Sequence, residues 1–179
     1  MTAPGSSADA AAGPEADPLL ALLVSLSRER KLVAAFESAH QSFLRYQEDA
    51  VRIAASANVD RLGVDTLRKI FDAYVDLFQA HHFAEEGHLF PTLRRIEPAL
   101  APAVDQLLVQ HGQLTAQLDV VSQLVRRLDS DTATDAMATL LQELLELQNV
   151  VIEHLAFEES VTVPVISLWT EWPIEERAP

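Results

Sequence analysis

Four of the six histidines in this 179-residue chain fall on apolar stripes at helical spacing: His40, His81, His111 and His154. A lone histidine in such a place is usually a hydrogen-bonded core residue; these four do not stand alone. The stretches His81-His-Phe-Ala-Glu85-Glu86-Gly-His-Leu-Phe-Pro91 and His154-Leu-Ala-Phe-Glu158-Glu159-Ser-Val-Thr-Val-Pro164 share the pattern H-x-x-x-E-E-x-x-x-x-P. Residues four apart on a helix point the same way, so each copy presents an imidazole and a carboxylate together. A carboxylate buried beside leucine and phenylalanine is costly unless a cation compensates it. Two such pairs can supply two carboxylates to bridge two metal ions. The chain has no cysteine, which excludes disulfides, thiolate catalysis and sulfur-ligated metal. Imidazole with carboxylate suits iron, and manganese or zinc less specifically.

The elements that position these groups read as four long helices. Asp17-Pro18 is a helix start, with Asp as cap and Pro at the first position. Leu19, Leu22, Leu23, Leu26, Val33, Phe36, Phe43 and Leu44 follow at helical rhythm to about residue 57, with a break near Ser25 to Ser27 left open. Asn58 to Val64 is the first connection, and Asp65 or Thr66 is expected to cap the second helix. That helix carries Leu67, Ile70, Phe71, Tyr74, Leu77, Phe78 and Leu89 and stops at Glu97-Pro98. Pro102 fits the first turn of the third helix, with its stripe of Val104, Leu107, Leu108, Leu114, Leu118, Leu124, Val125 and Leu128. Met137, Leu140, Leu141, Leu144, Leu147 and Val151 mark the fourth, ending near Pro164. The expected architecture is all-α, an up-down-up-down four-helix bundle over residues 17–167, with tails at 1–16 and 168–179. The last segment, holding Trp169, Trp172 and Pro173, either folds back over one end or stays loose.

In such a bundle, residues equally far from a connecting turn lie at one level. His40 and His81 lie about twenty residues either side of the first turn, and the next turns match His81 with His111 and His111 with His154. Four imidazoles therefore reach one level of the core, one from each helix.

The bulk numbers narrow the partners. Net charge is −14, so no basic patch exists to displace the counterions of nucleic acid or to hold an anionic membrane. Acidic Glu15 and Asp17 precede the apolar run at Pro18, unlike a secretion signal, and the expected compartment is the cytoplasm.

His40, His81-x-x-x-Glu85, His111 and His154-x-x-x-Glu158, with Phe90-Pro91 and Val163-Pro164 trailing, resemble the hemerythrin-like HHE cation-binding family. The resemblance spans roughly Arg30 to Ser167. It implies a hemerythrin-like bundle holding two iron ions joined by an oxo or hydroxo group. By that analogy His40 and His81 serve one iron, His111 and His154 the other, and Glu85 and Glu158 bridge. The implied partner is a small diatomic or peroxide ligand.

Two departures from the family's oxygen carriers matter. The carriers have a second histidine four residues from the one on helix three, whereas Leu107 and Thr115 flank His111 at that spacing. They also set the last carboxylate five residues after its histidine, which would select Glu159. Helix geometry favours Glu158, about 40° off the direction of His154 against about 140° for Glu159. The missing ligand leaves an open position unless His82, Glu86 or another side chain fills it, and His82 is the best placed. An open position favours reaction with O2, peroxide or nitric oxide over oxygen transport. An iron- or oxygen-responsive sensor and a structural bundle with a non-redox metal are the other readings.

Glu37-Ser-Ala-His40 and Glu85-Glu-Gly-His88 also match the Glu-x-x-His motif of ferritin-like proteins, but helix three carries no glutamate. His88 reads as a surface residue. Tyr46, Tyr74, Gln47, Gln110 and Thr115 are near enough in sequence to orient ligands, though each is more often plain packing.

Overall fold

The computed structural model describes residues 17–56, 60–128 and 133–173. The expected tail at 1–16 and the end of the last segment fall outside them. Its helices are α1 (Pro18–Arg28), α2 (Leu32–Ala54), α3 (Arg61–Ala84), α4 (Phe90–Ile96), α5 (Ala101–Arg127) and α6 (Ala133–Ile166). A π turn at Glu85–Leu89 carries α3 into α4 without a break, and a 3-10 turn at Pro98–Leu100 leads into α5. No strand occurs among the described residues, and none of their helices is long and apolar enough to cross a membrane.

The four rods are α2, α3 with α4, α5, and α6. α2 packs on α3 and α6, and α5 packs on α6 and α3, closing the ring of an all-α four-helix bundle.

α1 is a separate short helix. Asp17 accepts from the Leu19 and Leu20 amides, and Pro18 takes the first turn. The break falls at Glu29 to Lys31, just past the serines. Arg30 sits in the left-handed region at φ 54°, the Lys31 amide donates to the Leu26 carbonyl, and the Arg30 amide donates to the Ser27 carbonyl. This is a Schellman ending with arginine where glycine is usual.

α3 begins five or six residues earlier than the spacing predicts. Asp60 is the cap, accepting from the Gly63 amide at 2.9 Å, so burial of Val64 and Leu67 starts in the first turns. Leu108, expected on the core stripe, is turned outward, while Val121 joins the core.

Pro91 gives a physical reason for the π turn. Its ring would clash with the carbonyl four residues back in a regular helix, and the wider turn removes the clash. Pro164, at the matching place in the second repeat, lies within the last turn of α6, where one lost amide matters less.

Two apolar clusters flank the level of the histidines. One gathers Phe43, Phe71, Tyr74, Phe78, Leu114 and Leu144. The other gathers Leu32, Phe90, Leu93, Leu107, Ile166 and Trp172. Trp172 is buried, its ring meets Trp169 edge-on at 5.2 Å, and Arg95 donates to the Pro173 carbonyl. The last segment therefore folds back over this end of the bundle.

Candidate metal centre

Between the two clusters, α2, α3, α5 and α6 turn polar side chains inward. His40, Glu85, His111, His154 and Glu158 are buried, and His81 is nearly so. They fall into two groups whose ligand atoms lie within 4.8 Å of one another: His40, His81, Glu85 and Glu158 in one, His82, His111 and His154 in the other. All six side chains singled out by spacing meet here, joined by His82.

The carboxylates span both groups. Glu85 Oε1 is 2.8 Å from His81 Nε2, and its Oε2 is 3.4 Å from His111 Nε2. Glu158 Oε2 is 3.4 Å from His40 Nε2 and 3.7 Å from His154 Nε2. Glu159, the alternative to Glu158, lies on the outer side of α6 with its side chain 43% exposed.

The second glutamate of each repeat does a different job. Glu159 accepts from His40 Nδ1 at 2.8 Å, and Glu86 accepts from His111 Nδ1 at 2.8 Å. Gln110 Oε1 takes His154 Nδ1 at 3.0 Å. An imidazole that donates from Nδ1 presents a bare Nε2 lone pair, which fixes tautomer and ring direction for a metal. The repeated E-E thus divides its labour. The first carboxylate faces the core, and the second holds a histidine from the neighbouring helix.

These buried atoms lack partners outside the site. Nε2 of His82, His111 and His154 makes no hydrogen bond, and the oxygens of Glu85 and Glu158 meet only one another and the site's own histidines. Buried polar groups are ordinarily satisfied. Lone pairs converging from five imidazoles and two carboxylates are what a pair of cations would satisfy, so the donor set fits metal.

Protonation follows the same division. Burial opposes a charge on His81, but Glu85 and Glu158 outweigh it and raise its pKa to about 10. Its proton stands where a cation would, facing the bare Nε2 of His40 at 3.2 Å. Burial raises Glu85 well above the usual carboxylate range. Glu158 stays well below it despite its burial, because His40, His81 and Glu85 hydrogen-bond to it. In the other group burial is the main cause: His82 falls to about 2, His154 to about 4, and His111 is also lowered. The His82 and His111 rings stack with centroids 3.5 Å apart, as neutral imidazoles can.

His82 was legible to a closer reading. Phe71, Tyr74, Phe78 and His82 follow one another at three, four and four residues, the core rhythm of α3. His81 and His82 point about 100° apart, so each faces a different group. Among the other expectations, Glu37 is exposed and His88 turns toward Asp17 at 3.1 Å, outside both groups. Gln47 donates to the buried Tyr74 hydroxyl at 2.9 Å, and of the five possible orienting residues only Gln110 bonds one of the clustered histidines.

A helical bundle whose four rods bring histidine and glutamate to one buried level defines a class of cation-binding protein. The chain belongs to the hemerythrin HHE cation-binding domain family, whose model matches residues 31–166. No curated protein and no solved structure matches it.

Proposed function

We propose that this chain is a non-haem di-iron protein that binds or reacts with a small oxidant: O2, peroxide or nitric oxide. The observation that carries this is the set of unpartnered buried donors, split into two adjacent groups and spanned by Glu85 and Glu158. Imidazole and carboxylate without thiolate favour iron, and an iron pair would supply electron exchange with the oxidant.

The residues have distinct roles. His40 and His81 would hold one ion, His82, His111 and His154 the other, and Glu85 and Glu158 would touch both. His82 takes the place of the helix-three histidine that the oxygen carriers have and this chain lacks. The His40 side then has one imidazole fewer, so it is the side with room for a ligand. Glu159, Glu86 and Gln110 keep the lone pairs of His40, His111 and His154 aimed inward, and the apolar clusters on either side keep water out.

The test is metal content and visible absorption of protein produced with iron, followed by peroxide and nitric oxide. Two irons with charge-transfer bands that change on addition support the proposal. A zinc-filled or iron-refusing site would overturn it in favour of a structural metal. α1 and Trp172 lie outside the matched region yet pack beside the centre, which favours a sensor as the second reading. A change in protease sensitivity on iron loading, without turnover of peroxide, would select it.

A further inference from the structure

The outer face of α5, opposite the stripe that carries His111, is open along its length. Asp105, Val109, Gly112, Ala116, Val120 and Arg127 are all exposed, and they fall within about 80° of one another around the helix. Val109 is 61% exposed and Val120 45%, on a face where charged or polar side chains are usual. From Gln106 to Leu118 no aspartate, glutamate, lysine or arginine occurs, in a chain of net charge −14. Gly112 stands in mid-helix, where glycine is unfavourable, and a Cβ there would meet nothing within 4 Å.

The ends of this stripe carry opposite charges. Asp105 lies near the start of α5, beside Arg94 of its own chain yet with its side chain 66% exposed, and Arg127 closes the helix. Read backwards, the stripe complements itself. Asp105 and Arg127 lie equally far from Ala116, and so do Gly112 and Val120. Across a two-fold axis at Ala116 an acid therefore meets a base, and a valine meets the gap over a glycine.

We propose that this face binds a second copy of the chain, α5 packed antiparallel on α5, with Val120 of each copy seated over Gly112 of the other. Charge selects that occupant. Two copies at net −14 repel across any acidic face, whereas this contact is neutral in the middle and closes with an Asp105–Arg127 pair at each end. The stripe runs about 33 Å and the pair buries about 1,000 Å², the lower end for a specific interface, so the dimer dissociates in the micromolar range. Nothing in this contact depends on which metal the centre holds.

Sedimentation equilibrium of the full metal-loaded chain, over concentrations bracketing the micromolar range, tests it. A monomer–dimer equilibrium is expected. Ala116→Glu sets two carboxylates against each other on the axis and should weaken it at least about 10-fold. Gly112→Leu removes the seat of Val120 and should weaken it too, while the thermal midpoint of the dilute protein rises, because leucine suits a helix better than glycine. Unchanged metal content in both variants separates a lost contact from a lost fold. Asp105→Arg and Arg127→Asp should each weaken association, and the double variant should restore it, as an antiparallel pair centred on Ala116 requires. A monomer at every concentration, a dimer indifferent to Ala116→Glu and Gly112→Leu, or no rescue by the double variant would overturn the proposal.

Discussion

The two halves of the centre solve opposite electrostatic problems. Around His40 and His81, two carboxylates are gathered with two imidazoles, and the surplus negative charge raises His81 to about 10. Around His82, His111 and His154 no carboxylate belongs to the group, and burial drives the rings neutral, His82 to about 2 and His154 to about 4. One half holds a proton in place of a cation. The other holds bare lone pairs. Glu85 and Glu158 reach across from the first to the second, which is how one buried pocket can balance the charge of two ions.

The comparison breaks most completely if a spanning carboxylate is removed. Glu158→Ala should abolish loading of both ions. In metal-free protein it should cost about 3–5 kcal/mol, because His81 and His40 lose a buried partner. Metal analysis and denaturant unfolding would show it. His82→Leu should separate the halves. The His82, His111 and His154 side loses its ion, the other side keeps one, and metal-free protein gains about 1 kcal/mol as an unsatisfied imidazole disappears. A fall in metal-free stability would mean His82 already has a partner.

Smaller effects test the outer glutamates. Glu86→Ala should weaken metal binding about 10- to 100-fold on the His111 side, and Glu159→Ala should do so on the His40 side, with each glutamine variant in between. Equal effects of both on a single ion would contradict their division. The mildest test is pH. Below the ordinary histidine value of 6.5, unfolded chains protonate at His82 and His154 where the folded state resists, so metal-free stability falls with acidification. Above 6.5 the folded chain keeps the His81 proton that the unfolded one releases, so stability falls as pH rises toward 10. Thermal midpoints of metal-free protein should therefore peak near 6.5, and a flat profile would show that the two halves do not differ as described.

Much of this could be read from spacing. The repeated H-x-x-x-E-E and the equal distances of four histidines from the turns brought six side chains to one level, because a long helix keeps its phase over such a span. The preference for Glu158 over Glu159 rests on the same regularity. His82 keeps the core rhythm of α3, but which group it joins depends on the rods that flank α3, because adjacent residues in a helix point to different neighbours. The outer roles of Glu86 and Glu159 are contacts between helices, which no local pattern encodes. The early start of α3 was hidden by Gly63, a residue that reads as a loop but here sits in the first turn behind an aspartate cap. The docking of α1 as a separate helix turns on a left-handed arginine that sequence does not announce.

Crystals of the iron-loaded chain, measured for anomalous scattering at the iron edge, test the central claim most directly. The account predicts two peaks about 3.5–4 Å apart, one beside His40 and His81, the other beside His82, His111 and His154, with Glu85 and Glu158 touching both. A single peak, or iron bound only to acidic groups on the outer surface, would contradict it.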